Sequence, residues 1–289
     1  MVQRTSTETN PVFLRPTTLH EATQALAEGG QVLAGGTDFF PALGTRPAPD
    51  KIIDVSRVGE LRGIQTSHSQ IRIGGATTWS EIFAAPLPRC FDALKAAARE
   101  VGAIQIQNRG TVAGNLCNAS PAADGVPPLL ILDAEVELAS SAGVRRLPLG
   151  DFLVGNRKTQ RRPDEILSAV IVPLALSDAP SVFLKLGARR YLVISIAMVA
   201  ALLADDGQGR VATARIAVGS CSATAQRLLE LERDLLGQPL DSKLSSLAQA
   251  EHLSPLSPID DVRATAVYRR DATLTLVRRA LNACVEARS

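Results

Sequence analysis

Aromatic residues are scarce in this 289-residue chain, at 3% of the total, which leaves little to stack on the bases of a single-stranded nucleic acid. Neither sign of charge dominates. Against 31 Lys and Arg stand 29 Asp and Glu, a formal net charge of +2, so the chain lacks the basic footprint of a nucleic-acid partner, and none is expected. Only three histidines occur, His20, His68 and His252, scattered through polar or helix-surface settings that suit solvated side chains better than ligands or general bases. The four cysteines, Cys90, Cys117, Cys221 and Cys284, share no spacing of a metal or redox motif; they read as reduced thiols, and no metal site is expected. The longest apolar run, residues 191–204, contains Ser195 and ends in Asp205-Asp206-Gly207, so it reads as a buried strand rather than a membrane span. The first eight residues lack the apolar stretch of a secretory signal, and the cytoplasm is the expected compartment.

Familiar catalytic motifs are missing too. There is no P-loop and no Gly-x-Ser-x-Gly elbow. Gly207-Gln208-Gly209-Arg210-Val211-Ala212 has the spacing of a dinucleotide fingerprint, but a strand pattern follows it where the fingerprint requires a helix, so it reads as a hairpin turn. With so few groups for acid–base chemistry, a cofactor is the expected carrier of any reaction.

Two regions separate near residues 173–180, giving expected domains 1–175 and 176–289, the first subdivided at about residue 57. At the N-terminus, residues 12–15 and 31–34 read as extended, with a helix entered at Thr18 between them. Thr18-Leu19-His20-Glu21 fits a capping box, and residues 51–55 complete a β-α-β unit. Residues 64–66 and 70–74 read as a strand pair and Thr78-Trp79-Ser80-Glu81 as a second capping box; residues 91–101 and 126–132 read as helices. Residues 134–139, 144–149 and 165–172 alternate as strands, which implies an α+β domain. In the last third, residues 181–186, 193–204 and 211–219 read as strands. Helices are expected at 227–236, 243–251 and 264–286, the last with Val267, Leu274, Val277, Leu281 and Val285 on one face. A small antiparallel sheet covered by helices is the simplest packing.

Two segments stand out by their small residues. Leu33-Ala34-Gly35-Gly36-Thr37-Asp38 ends a strand in two glycines and a hydroxyl, where successive N–H groups can form an anion-binding concavity. The run from Arg109 to Asp124 is crowded with small residues and Gly, and Thr111, Gly114, Asn115, Asn118, Ser120 and Asp124 supply many small donors and acceptors. Removal of bulk lets backbone approach something flat or anionic. Two such cradles point to one large ligand with a phosphate part.

These two segments resemble the FAD-binding loops of the flavoprotein subunit of molybdenum hydroxylases, the family of xanthine dehydrogenases, aldehyde oxidoreductases and carbon monoxide dehydrogenases. The resemblance continues in Asp164-Glu165-Ile166-Leu167, in Phe183-Leu184-Lys185-Leu186-Gly187-Ala188-Arg189-Arg190, and in the stretch from Ser257 to Arg270. It implies a two-part FAD domain of the vanillyl-alcohol-oxidase type, followed by a small antiparallel-sheet-plus-helices C-terminal domain. It also implies that Leu33, Ala34, Gly35, Gly36, Thr37 and Asp38 wrap the FAD pyrophosphate. Thr111, Gly114 and Asn115 would meet the phosphates and ribityl region, with Cys117 and Asn118 nearby; Asp124 would bond either the adenosine ribose or the ribityl hydroxyls. Leu167 and Lys185 would lie near the cofactor, Lys185 by the isoalloxazine as a tuning cation, or else as a solvated lysine on a strand edge.

By the same resemblance, the chain would be the medium subunit of a hetero-oligomer. It would accept electrons from the two [2Fe-2S] clusters of a small subunit, served by a molybdopterin-binding large subunit, and pass them to NAD or another acceptor. The chain departs from many relatives in carrying Ala113 where they have Gly, and in lacking the cysteine-rich insert that binds an extra cluster, so no cluster is expected here. Two competing readings are a self-contained flavin oxidoreductase and a non-catalytic nucleotide-binding assembly module.

Overall fold

The computed structural model describes residues 11–189 and 193–288. The first eight residues, Arg190 at the end of its arginine pair, and the start of the apolar run at Tyr191 lie outside the described residues. The chain opens as a β-α-β unit: β1 (Val12–Leu14), α1 (Leu19–Ala27), β2 (Gln31–Leu33), a short α2 (Phe39–Leu43) and β3 (Lys51–Asp54). Its strands are parallel in the order β1-β3-β2. Thr18 caps α1 as the sequence predicts: its hydroxyl accepts from the Glu21 amide at 3.2 Å, and the Glu21 carboxylate accepts from the Thr18 amide at 3.3 Å. Such a cap contributes about 1 kcal/mol. It fixes the rotation of the helix so that Ala22 and Leu26 pack with Ile53 and Val55.

The next layer is an antiparallel sheet ordered β4-β5-β10-β6-β7. Its strands are β4 (Ile64–Thr66), β5 (Gln70–Gly74), β6 (Glu135–Ser140), β7 (Gly143–Pro148) and, after the small hairpin β8 (Leu153–Gly155) and β9 (Lys158–Thr159), the central β10 (Ile166–Pro173). Every residue of β10 but the last is buried, as expected for a strand covered on both faces. The helices between β5 and β6 are α3 (Trp79–Ala84), α4 (Asp92–Glu100), α5 (Ile104–Gln107), α6 (Val112–Asn118) and α7 (Val126–Ile131); α8 (Leu149–Phe152) follows β7. The Thr78 capping box is present at the start of α3.

The C-terminal domain carries an antiparallel sheet in the order β11 (Ser181–Leu186), β12 (Ala197–Asp205), β13 (Val211–Gly219), β14 (Gln226–Arg227), with α9 (Leu229–Leu235) and the long α10 (Ala266–Ala287) against it. The hairpin reading of Gly207 to Ala212 holds: β12 turns there directly into β13. One core cluster spans the two domains, because Phe183, Met198 and Ala200 join the residues around Leu94 and Leu129, while a second cluster lies within the C-terminal domain.

Three local expectations fail. Residues 243–251 form no α-helix but two 3-10 turns, Leu244–Leu247 and Ala250–Leu253, with Leu244, Ala248 and Leu253 buried in the core and Leu247 packed partly against it. The strand expected from residue 193 starts at Ala197. On α10, Val277 and Leu281 are buried and Leu274 and Val285 pack against the same core as expected, but Val267 in the first turn is exposed. Among the described residues no helix is long and apolar enough to cross a membrane, and no three His, Cys, Asp or Glu side chains gather as a metal site.

Candidate functional site

A cavity of about 570 Å³ opens where the N-terminal β-α-β unit meets the five-stranded layer. Its first wall is the turn leaving β2. Gly35 passes so close to the second small-residue segment that an added Cβ would lie 1.8 Å from the Arg109 carbonyl oxygen, so any other residue forces the two segments apart. Gly36 follows at φ +74°, a conformation costly for any residue with a side chain, and Leu33 packs beneath it. Among the described residues no acceptor meets the backbone amides of Gly35, Gly36 or Thr37. Successive unpaired N–H groups in a tight turn form a concavity of positive potential. It lies open to the cavity, which Ala34, Thr37 and Asp38 also line.

The middle of the second segment, Val112–Asn118, forms α6. Thr111 caps it, its hydroxyl accepting from Gly114 N at 3.1 Å. The Val112 and Ala113 amides donate to the carbonyls of Thr77 and Gly75, each at 3.0 Å, which ties the helix to the end of β5. The first amides of α6 are therefore spent within the protein, and this wall offers side chains instead. Asn115 Oδ1 is buried without a hydrogen-bond partner, an arrangement that awaits a donor from a ligand. Ala113 is helical, its methyl set against Gly75, so the departure from Gly is accommodated. Gly114, Cys117, Asn118 and Leu167 also line the cavity.

Two turns in left-handed backbone join at the rim. Ala119 (φ 46°) closes α6, Arg157 (φ 55°) turns the β8–β9 hairpin, and the Arg157 amide donates to Ala119 O at 2.8 Å. The Arg157 guanidinium reaches both segments, bonding Asn118 Oδ1 and, at 3.3 Å, Asp38 Oδ2. This pair is half exposed and contributes under about 1 kcal/mol, so Arg157 organises the rim more than it stabilises the fold.

Leu33, Asp124 and Lys185 do not line this cavity. Lys185 is no solvated edge lysine: its side chain is 7% exposed, and its ammonium donates to Asp124 Oδ2 at 2.7 Å and to the Glu100 carbonyl at 3.2 Å. Ser195 donates to the other Asp124 oxygen at 2.9 Å. Burial pushes the Asp124 carboxyl above the ordinary Asp range, against the pull of Lys185 and Ser195. Lys185 borders a shallower depression together with Glu100, Phe183 and Arg189. Glu100 lines that depression and Val101 lines the main cavity, so the two spaces adjoin across one peptide step.

Sequence reasoning missed Trp79, Arg157 and Arg161. Trp79 lies under the site, touching the position a side chain on Gly125 would take. The polar run from Arg157 to Arg162 carries no local signal of a site, since its role comes only from the hairpin that folds it back over α6.

Residues 6–175 match the family described as FAD binding domain in molybdopterin dehydrogenase, and residues 183–284 match the CO dehydrogenase flavoprotein C-terminal domain. The xanthine dehydrogenase FAD-binding subunit of Escherichia coli O157:H7 is 32% identical over 281 residues, covering 95% of this chain and 96% of that protein. The nicotinate dehydrogenase FAD-subunit of Eubacterium barkeri is 35% identical over 237 residues, 79% of this chain and 80% of that one. A solved structure of carbon monoxide dehydrogenase from Hydrogenophaga pseudoflava superposes with a TM-score of 0.86 at 28% identity, covering 95% of this chain and 96% of that one. The chain thus belongs to the family of FAD-binding subunits of molybdopterin dehydrogenases and is an FAD-dependent oxidoreductase subunit.

Proposed function

We propose that the cavity between the β2 turn and α6 holds the FAD, with the pyrophosphate on the Gly35, Gly36 and Thr37 amides. The observation that carries this is the pairing of those unpartnered amides with an Asn115 oxygen that is buried without a donor, on facing walls of one cavity. Anionic oxygens suit the first and a ribityl or ribose hydroxyl suits the second. The volume, about 570 Å³, falls in the range of cofactor sites. When bound, FAD supplies one- and two-electron transfer. The chain's own residues bind and orient it. Leu167 offers an apolar contact, Thr111 and Gly114 hold the start of α6 in place, and Asn118 and Asp38 keep the rim closed through Arg157. Lys185 and Asp124 extend the site at the adjoining depression, where the lysine would stand as a cation beside the isoalloxazine.

In this reading the chain is the electron-transfer medium subunit of a cytoplasmic hydroxylase complex. Electrons arrive from a [2Fe-2S] small subunit, after substrate oxidation at a molybdopterin-binding large subunit, and leave to NAD or another acceptor. The test is reduction of the FAD-loaded chain, followed by its visible absorbance. Dithionite bleaches it, and the physiological substrate bleaches it only when the co-purified partner subunits, with molybdenum and iron, are present. Bleaching by substrate without partners would contradict the relay, and a loaded chain that dithionite cannot reduce would contradict any redox role.

A further inference from the structure

One cation faces the cavity with no carboxylate to neutralise it. Arg161 is the single Lys or Arg among the described residues that line the cavity, and none of the ion pairs found among the described residues involves it. The carboxylate nearest in sequence, Glu165, is occupied by the Arg145 fork at 2.6 and 2.9 Å. Arg161 instead uses one nitrogen, Nη1, on two backbone carbonyls, Glu165 O at 2.7 Å and Arg162 O at 3.1 Å. Two acceptors on one nitrogen hold the guanidinium in a fixed plane without cancelling its charge. Among the described residues its Nε and Nη2 make no hydrogen bond.

The position of Arg161 separates it from the unpaired amides at Gly35. Its charge acts on the Cys117 thiol, in the last turn of α6, and it shares the wall with Ile166 and Leu167. From Thr111 to Cys117 the helix advances about 9 Å, roughly the length of a nucleoside. A pinned, planar cation beside the apolar start of β10 suits an aromatic ring better than a phosphate, since guanidinium groups stack on π faces and are weakly hydrated. We propose that Arg161 is the platform for the adenine ring of FAD, with the start of β10 as the apolar wall beside it. The proposal rests on the assignment of the cavity to FAD and adds which residue reads the base.

The test uses the apo form of the full chain, titrated with FAD and with FMN, which has flavin and phosphate but no adenine. Free adenosine serves as a competitor of FAD uptake. In Arg161→Gln, FAD affinity falls about fivefold to tenfold and adenosine competes more weakly, while FMN affinity is unchanged. Arg161→Lys keeps the charge but loses the plane, and recovers only part of the loss. Thermal melts matching the wild type show that both variants fold. An equal loss for FMN, or full rescue by Lys, would assign Arg161 to phosphate and overturn the platform. FAD binding unchanged in both variants would overturn it while leaving the cofactor assignment intact. Wild-type chain that takes up neither flavin would overturn both.

Discussion

Asp124 accepts a hydrogen bond from Lys185 at 2.7 Å across the junction of the two domains, with both side chains at most a tenth exposed. Removing one member of such a pair strands the other charge in low dielectric. Lys185→Met should therefore destabilise the chain by about 3–5 kcal/mol, while the double change with Asp124→Asn should cost much less. Denaturant unfolding of the two single variants and the double variant measures this coupling. Additive losses would show that the two groups do not act as a pair.

Two further carboxylates set the acid limit of stability. Burial alone would raise Glu165, but the Arg145 fork and the Arg162 amide outweigh it and hold the group below 4.5. Glu137 behaves likewise between Arg146, Ser168 and Arg72. A carboxylate whose folded value is depressed binds fewer protons in the native state, so its stabilising contribution is complete above 4.5 and is lost as pH falls through the folded value. Melting temperature should drop with acid below that point, and Glu165→Gln should flatten part of the slope. A wild-type profile that stays level there would contradict the assignment.

Cys117 lines the cavity, yet its thiol should be inert. Burial pushes it up to about 11, with Arg161 offsetting only part. At pH 8 only about one thiol in a thousand is then thiolate, the reactive form. Cys90 and Cys284 are raised further by burial, to about 12. Alkylation of the native chain followed by mass spectrometry should leave Cys117 unmodified, and alkylation after unfolding should modify it. Rapid native labelling of Cys117 would show that the wall is more open than described.

Elements announced by local chemistry were legible in the sequence. The capping boxes at Thr18 and Thr78 read directly, because both partners lie within one turn. The strand pair β4–β5 read as well, because a short polar turn joins two apolar segments. α6 was not legible as a helix. Its residues are small, it has little apolar periodicity, and its first amides are satisfied by Thr77 and Gly75, far away in sequence. The glycines of the β2 turn stood out in the sequence, but their reason, the approach of Arg109, exists only once both segments are folded. Arg157 and Arg161 stayed hidden in a polar run that looks solvated until the β8–β9 hairpin turns it over the cavity.

The central claim is that the Gly35 turn and α6 close together on FAD, and equilibrium FAD binding to apo chain, wild type against Gly35→Ala, tests it most directly. The added methyl group would meet the Arg109 carbonyl at 1.8 Å and must push the two walls apart. Wild-type chain should take up one FAD with saturable quenching of flavin fluorescence, and Gly35→Ala should lose at least about tenfold in affinity, some 1.4 kcal/mol, while still melting cooperatively. Equal FAD affinity in the two proteins would contradict the account.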